Sequence, residues 1–162
     1  MAKADMFLKV EGAKQGPIKG ESTEPKHADE IEVSGWSWGM DGNATAFGAS
    51  SARTTLQELI VRKRVDSAST GLMSALRNNE VIKKAVLSVR KAGGVALPYM
   101  TITVEKARVI SHHVGTVVDD EPELTEEIRL AFFKVLVEYR AQDAKGAGKG
   151  VNSFETEVQP GV

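Results

Sequence analysis

Apolar and polar residues alternate over short stretches of this chain, each bounded by Gly, Pro, Asn or Asp, and that pattern predicts β-strands with one buried face. In the first stretch Met6, Leu8 and Val10 share a face, with Lys9 and Glu11 on the other. Gly12, Gly16, Pro17 and Gly20 then mark a loop that runs to His27, and a second strand begins at Ile31. Further strands are predicted over residues 59–66, 81–91, 99–110 and 128–140. Gly93 and Gly94 form the tight connection between the strands 81–91 and 99–110. Short connections of this kind imply an antiparallel sheet.

Three stretches carry more detail. In 81–91 the apolar residues Val81, Ala85, Leu87 and Val89 fall on odd positions, while Lys84, Ser88 and Arg90 take the other, wet face. In 128–140, Phe133, Val135, Val137 and Tyr139 form one apolar row and Leu130, Phe132 and Leu136 a second, opposite one. A strand with two apolar faces needs a packed helix or a neighbouring subunit over the second. Trp36 and Trp38 share a strand face and are read as core packing, with Ser37 pointing the other way. Ile31 and Val33 lie on the Ser37 parity, so the apolar register changes near Gly35, as a β-bulge would cause.

One short helix is predicted, capped by Ser69, with Leu72, Met73 and Leu76 on its apolar side and Asn78-Asn79 at its end. Residues 42–55 form the longest polar, small-residue segment, with Gly42, Asn43, Phe47, Gly48, Ser50, Ser51 and Arg53 as its candidate contact residues. A compact domain has no packing need for so long a connection, and such loops carry function or disorder. A Gly-rich C-terminal segment, 141–162, contains a last possible strand at 153–158.

Length and charge narrow the classes. A chain of 162 residues makes one domain, 1–162. With 41% hydrophobic and 27% charged residues, and a formal net charge of -1, no global field recommends nucleic acid. No run of 18 apolar residues supports a membrane span, and residues 1–10 do not read as a signal peptide, so synthesis in the cytoplasm is expected. Cysteine is absent.

Candidate chemistry is sparse, and no cofactor is expected. His112 and His113, adjacent on a strand, point to opposite faces and cannot readily share a metal, so a solvated or interface role is expected of them. His27 sits alone in a polar loop. The acidic run Asp119, Asp120, Glu121, Glu123, Glu126 and Glu127 lacks the alternating oxygen ligands and central Gly of a calcium loop and reads as solvated. Arg62-Lys63-Arg64, without interleaved aromatics, reads as a solvated strand face rather than a nucleic-acid site. Residues 146–150 depart from a phosphate loop, and there is no GxSxG elbow. Catalysis is not expected.

Several motifs together point further: Asp5-Met6-Phe7-Leu8-Lys9-Val10, Gly20-Glu21-Ser22, His27-Ala28-Asp29-Glu30-Ile31 and Trp36-Ser37-Trp38-Gly39-Met40. They are followed by Arg90-Lys91-Ala92-Gly93-Gly94, Leu124-Thr125-Glu126 and the stretch 135–139 ahead of the Gly-rich tail. In order and spacing the whole chain resembles the haemolysin-coregulated protein (Hcp) family, the tube subunits of type VI secretion systems. It departs from the family in extra residues between Gly12 and Gly20 and in a 42–55 loop less purely glycine than in some relatives.

The resemblance implies an antiparallel β-barrel with one flanking helix, six copies closing into a ring and rings stacking into a hollow tube. It implies as partners a contractile sheath, a spike protein at the tube tip and effector cargo proteins, with no nucleic acid and no membrane insertion, and secretion by the type VI machine. On this reading residues 42–55 contact an adjacent subunit or the next ring, and Ser37 faces the lumen and its cargo. The alternative is a small-molecule carrier, since a barrel of about eight strands can hold one ligand.

Overall fold

A computed structural model describes residues 5–42, 54–90, 98–116, 123–142 and 148–158. The strands are β1 (Met6–Gly12), β2 (Gly16–Ile18), β3 (Ile31–Ser37), β4 (Met40–Gly42), β5 (Thr54–Leu56) and β6 (Leu59–Arg64). After helix α1 (Ser69–Arg77) come β7 (Ile82–Arg90), β8 (Pro98–Thr116), β9 (Leu124–Ala131), β10 (Lys134–Gln142) and β11 (Gly148–Glu157). Neighbouring strands run β8-β7-β1-β3-β6-β9, and β9 pairs β8 again, so six antiparallel strands close into a barrel. β10 and β11 leave the barrel as a two-stranded wing, and β4 pairs only β5.

β8 makes this arrangement possible. Its first part pairs β10 from Met100 to Glu105, its second part pairs β9 from Arg108 to Thr116, and Lys106, at φ 50°, marks the change between them. The predicted strand 128–140 is thus two strands. β9 ends at Ala131 and β10 starts at Lys134, and the break reverses the parity. Ile128 and Leu130 before it and Val135 after it are all buried in one core, so most of the two apolar rows belong to a single face.

A similar device corrects the strand 81–91. Glu11 pairs Lys84 but Gly12 pairs Ile82, so Lys83 is an extra residue and Ile82, rather than Val81, joins Ala85, Leu87 and Val89 in the core. The other face of this strand is less wet than expected: Ser88 is buried and Arg90 pairs with Glu24 at 3.0 Å and lies 5.3 Å above the Phe7 ring. The expected bulge near Gly35 is present, since Val33 pairs Lys63 while Gly35 pairs Arg62. β7 and β8 pair antiparallel as expected, with Gly93 and Gly94 outside the described residues.

The rows Leu8/Val10, Ile31/Val33, Leu59/Val61, Ala85/Leu87, Ile102/Val104 and Ile128/Leu130 fill the barrel as one core, onto which α1 packs Leu72 and Ala75. Met73 is exposed, and Ser69 is the first helical residue rather than the cap. Instead, Asp66 Oδ1 accepts from Ala68 N at 2.9 Å. Just past α1, the buried Glu80 carboxylate accepts Lys14 N and Gln15 N, both at 2.9 Å, and ties the β1–β2 turn to the helix end. These contacts with backbone donors hold the Glu80 carboxyl below its ordinary range against the opposing effect of burial.

Candidate functional site

Among the described residues a buried group of ionisable side chains lies inside the barrel, and the sequence reading missed it. Lys63 follows Leu59 and Val61 on the inward parity of β6, and Glu126 precedes Ile128 and Leu130 on that of β9. The two are register partners and form a salt bridge with both side chains at 0% exposure. Lys63 Nζ also donates to Asp66 Oδ1 at 2.8 Å and lies 3.2 Å from Ser69 Oγ. Ser69 Oγ donates to Glu126 Oε1 at 2.7 Å, and His112 Nε2 stands 2.6 Å from Glu126 Oε2.

Burial pushes the Lys63 ammonium below its ordinary value, with Asp66 opposing. Burial also lowers the His112 imidazole, and the Lys63 charge adds to that. A serine beside a depressed lysine would suit nucleophilic chemistry if a substrate could reach it. Here Lys63, Ser69 and Glu126 are sealed from solvent, so the group acts as an internal clamp joining β6, β9, β8 and α1.

Three expectations change accordingly. Arg62-Lys63-Arg64 is not one solvated face: Arg62 and Arg64 pair outside with Glu127 (3.0 Å) and Glu123 (2.6 Å), while Lys63 turns inward. Nor is the acidic run uniformly solvated, because Glu126 is buried; Asp119, Asp120 and Glu121 fall outside the described residues. His112 is a partner of the clamp, and His113 faces the other way beside Glu127 in the register. His27 is not alone either. It is buried, stacks on Phe7 at 4.4 Å and 4°, and contacts Glu30 at 3.1 Å. Phe7 thereby becomes core on the face opposite Leu8 and Val10.

The residues singled out for assembly lie elsewhere. Ser37 ends β3 and is exposed. Trp36 and Trp38 are partly buried against the core, and the Trp38 ring tilts against Phe132 at 6.5 Å. Trp38 Nε1 is buried and has no hydrogen-bond partner among the described residues. Gly42 is exposed at the end of β4, whereas Asn43, Phe47, Gly48, Ser50, Ser51 and Arg53 lie outside the described residues. The β4–β5 pairing brings the two ends of that segment together, and Gln57 Nε2 donates to Asp41 Oδ2 at 2.5 Å beside it.

Among the described residues the wing carries the exposed aromatic side chains Tyr139 and Phe154. Val135, Val137 and Tyr139 pair Val104, Ile102 and Met100, so they continue the core-facing side of β8 beyond the barrel. Phe154 pairs Val137 on β11 and extends the same face. Burial fades along it, and Tyr139 and Phe154 are 47% and 43% exposed. Among the described residues no three His, Cys, Asp or Glu side chains are placed to hold a metal ion.

Residues 7–139 match the family described as "Type VI secretion system effector, Hcp". Protein hcp1 of Pseudomonas aeruginosa is 36% identical over 150 residues, which span 90% of this chain and 89% of that protein. The structure of Hcp1 from Salmonella typhimurium superposes with a TM-score of 0.74 at 29% identity, over 94% of each chain. A type VI secretion system effector from Yersinia pestis does so with a TM-score of 0.73 at 27% identity, over 95% of this chain and 100% of that one.

Proposed function

Given that the chain belongs to the Hcp family of type VI secretion effectors, we propose that it is a tube subunit, six copies closing into a ring and rings stacking into a hollow tube. A contractile sheath expels the tube with a spike protein at its tip, effector proteins travel in the lumen, and the chain itself leaves the cell by this route. Beyond the family match, one observation supports the reading. The wing carries Tyr139 and Phe154 on the core-facing side of a sheet that has run out of barrel to cover. Aromatic side chains of this size bury about 150–250 Å² each when covered, so a neighbouring copy over the wing gains where a lone copy leaves them wet.

A head-to-tail contact of this kind repeats until the ring closes. The carrier alternative is less well served, because the space where a ligand would sit is occupied by the inward rows of Leu, Ile, Val and Ala. Negative-stain electron microscopy and light scattering of the purified protein test the reading. Annular particles of about six subunit masses are expected, and a single copy that stays monomeric at high concentration defeats it.

The exposed β4–β5 stem supports a contact role for the segment it carries. Removing residues 43–53 is expected to leave rings intact and stop their stacking; normal stacking would count against the role. Ser37 is exposed at the end of β3 and is assigned to the lumen. Ser37→Trp is then expected to lower cargo retention while rings persist, and unchanged retention would count against that assignment.

A further inference from the structure

Two charged surfaces lie on opposite walls of the barrel. The first is an open groove of about 970 Å³ along β1, β3 and the end of β6, lined by Met6, Val33 and Val65 and by the carboxylates Asp5, Glu21, Glu24, Glu32 and Asp66, with Arg64 as the one base. It exists because β1 and β3 share only the pairs Phe7↔Glu32 and Leu8↔Ile31. The segment before β3 is held beside this thin wall by Ser22 N donating to Glu30 O. Asp5 and Glu24 face Arg90, Asp66 faces Lys63 and Arg64 faces Glu123. Glu21 and Glu32 are exposed and form no salt bridge among the described residues, although Glu21 accepts Ser67 N at 2.7 Å.

The second surface is basic. Lys83 is the bulged residue of β7, Lys106 stands at the break of β8 with its Nζ 5.1 Å from the Phe133 ring centroid, and Arg108 Nη1 donates to Asn79 O at 2.6 Å, two residues past the helix-end Arg77. All four are exposed, and none forms a salt bridge among the described residues. In the barrel order β8-β7-β1-β3-β6-β9, β3 is three strands from β8 in both directions. The acidic groove and the basic cluster therefore lie on different sides of the barrel, as the two unlike patches of a head-to-tail contact do.

We infer that the groove receives the Lys83, Lys106, Arg108 and Arg77 cluster of a neighbouring copy of this chain, and that this contact fixes the register of the ring. The inference rests on the ring reading above and names the surfaces that join. Opposed charge of this kind steers encounter and penalises wrong registers more than it adds affinity. A groove lined both by apolar Met6, Val33 and Val65 and by carboxylates offers the mix of apolar and polar contact found in protein interfaces.

The test is a charge swap in the full chain, read by analytical ultracentrifugation with electron microscopy. Lys83→Glu with Lys106→Glu, and separately Glu21→Lys with Glu32→Lys, are each expected to weaken ring formation by at least about tenfold, since like charges then meet. The quadruple variant restores opposite signs and is expected to recover rings. Should a reversal variant fail to fold by circular dichroism, the neutral pair Lys83→Gln and Lys106→Gln is used, with a weaker and less salt-sensitive ring expected. Rings of unaltered stability in either half-swapped or neutralised variant, or a quadruple variant that stays dissociated while folded, overturn the inference and leave the tube reading intact. Absence of rings in the unaltered protein sinks both.

Discussion

Replacing Glu126 by leucine removes one of the two carboxylates that pair with the fully buried Lys63 ammonium. Lys63 would keep Asp66 Oδ1 at 2.8 Å and Ser69 Oγ at 3.2 Å, while His112 Nε2 would lose its acceptor at 2.6 Å. Breaking a buried ion pair from one side costs about 3–5 kcal/mol, because the remaining charge is left under-compensated away from water, Lys63 here keeping only Asp66 of its two carboxylates. At roughly 2–4 °C per kcal/mol for a domain of this size, Glu126→Leu should lower the melting temperature by about 6–20 °C. Removing both charges in Lys63→Met/Glu126→Leu leaves an apolar pair between Leu59, Val61, Ile128 and Leu130 but takes partners from Asp66, Ser69 and His112, so the double variant should recover much of the single variant's loss without exceeding the unaltered chain. Urea unfolding followed by circular dichroism, at one fixed protein concentration so that association does not vary, separates the two variants. A single variant that costs less than about 1 kcal/mol, or a double variant no better than the single one, would refute the clamp.

Two further outcomes follow from the packing. Burial and Lys63 hold the His112 imidazole below its ordinary value, so the unfolded chain takes up the proton first as the pH falls through about 6.5, and stability drops from that point until the folded form titrates as well. Melting curves from pH 8 to pH 5 should therefore decline less steeply for His112→Gln than for the unaltered chain, and equal slopes would remove His112 from the account. A methyl group at Gly20 would meet Glu30 O at 2.6 Å and Ile31 Cα at 2.7 Å, both backbone, so Gly20→Ala should cost about 1–3 kcal/mol. Gly115→Ala, exposed and with nothing within 4 Å, serves as the silent control in the same thermal melt, and equal melting points for the two would contradict the crowding at Gly20.

Strand positions were readable in the sequence because alternation is a local property, and the bulge at Gly35 was readable because Ile31 and Val33 sit on one parity and Trp36 on the other within a single strand. The break at Phe132–Phe133 was not, since apolar residues on both sides of it mimic a strand with two buried faces. The two faces from which a neighbouring subunit was expected are mostly one face, and the exposed aromatics of the wing are the surface on which the proposed ring contact rests. Lys63 sat on the inward parity of Leu59 and Val61, yet the flanking arginines made its charge look solvated, and its partner lies 63 positions away. Only the register of β6 on β9 brings that pair together, and register between distant strands is a tertiary property. His27 escaped for the same reason, because its stacking partner Phe7 belongs to a strand 20 residues earlier whose outward face was assumed wet.

The long β8 strand has a mechanical consequence. Its edge carries eight register pairs to β9 in the barrel wall and six to β10 in the wing, so one continuous backbone spans both bodies. A pull applied at the wing along the strand direction reaches the barrel as shear, which loads those rungs together instead of peeling them singly. Wing and barrel are thus coupled along the direction in which paired strands resist force together.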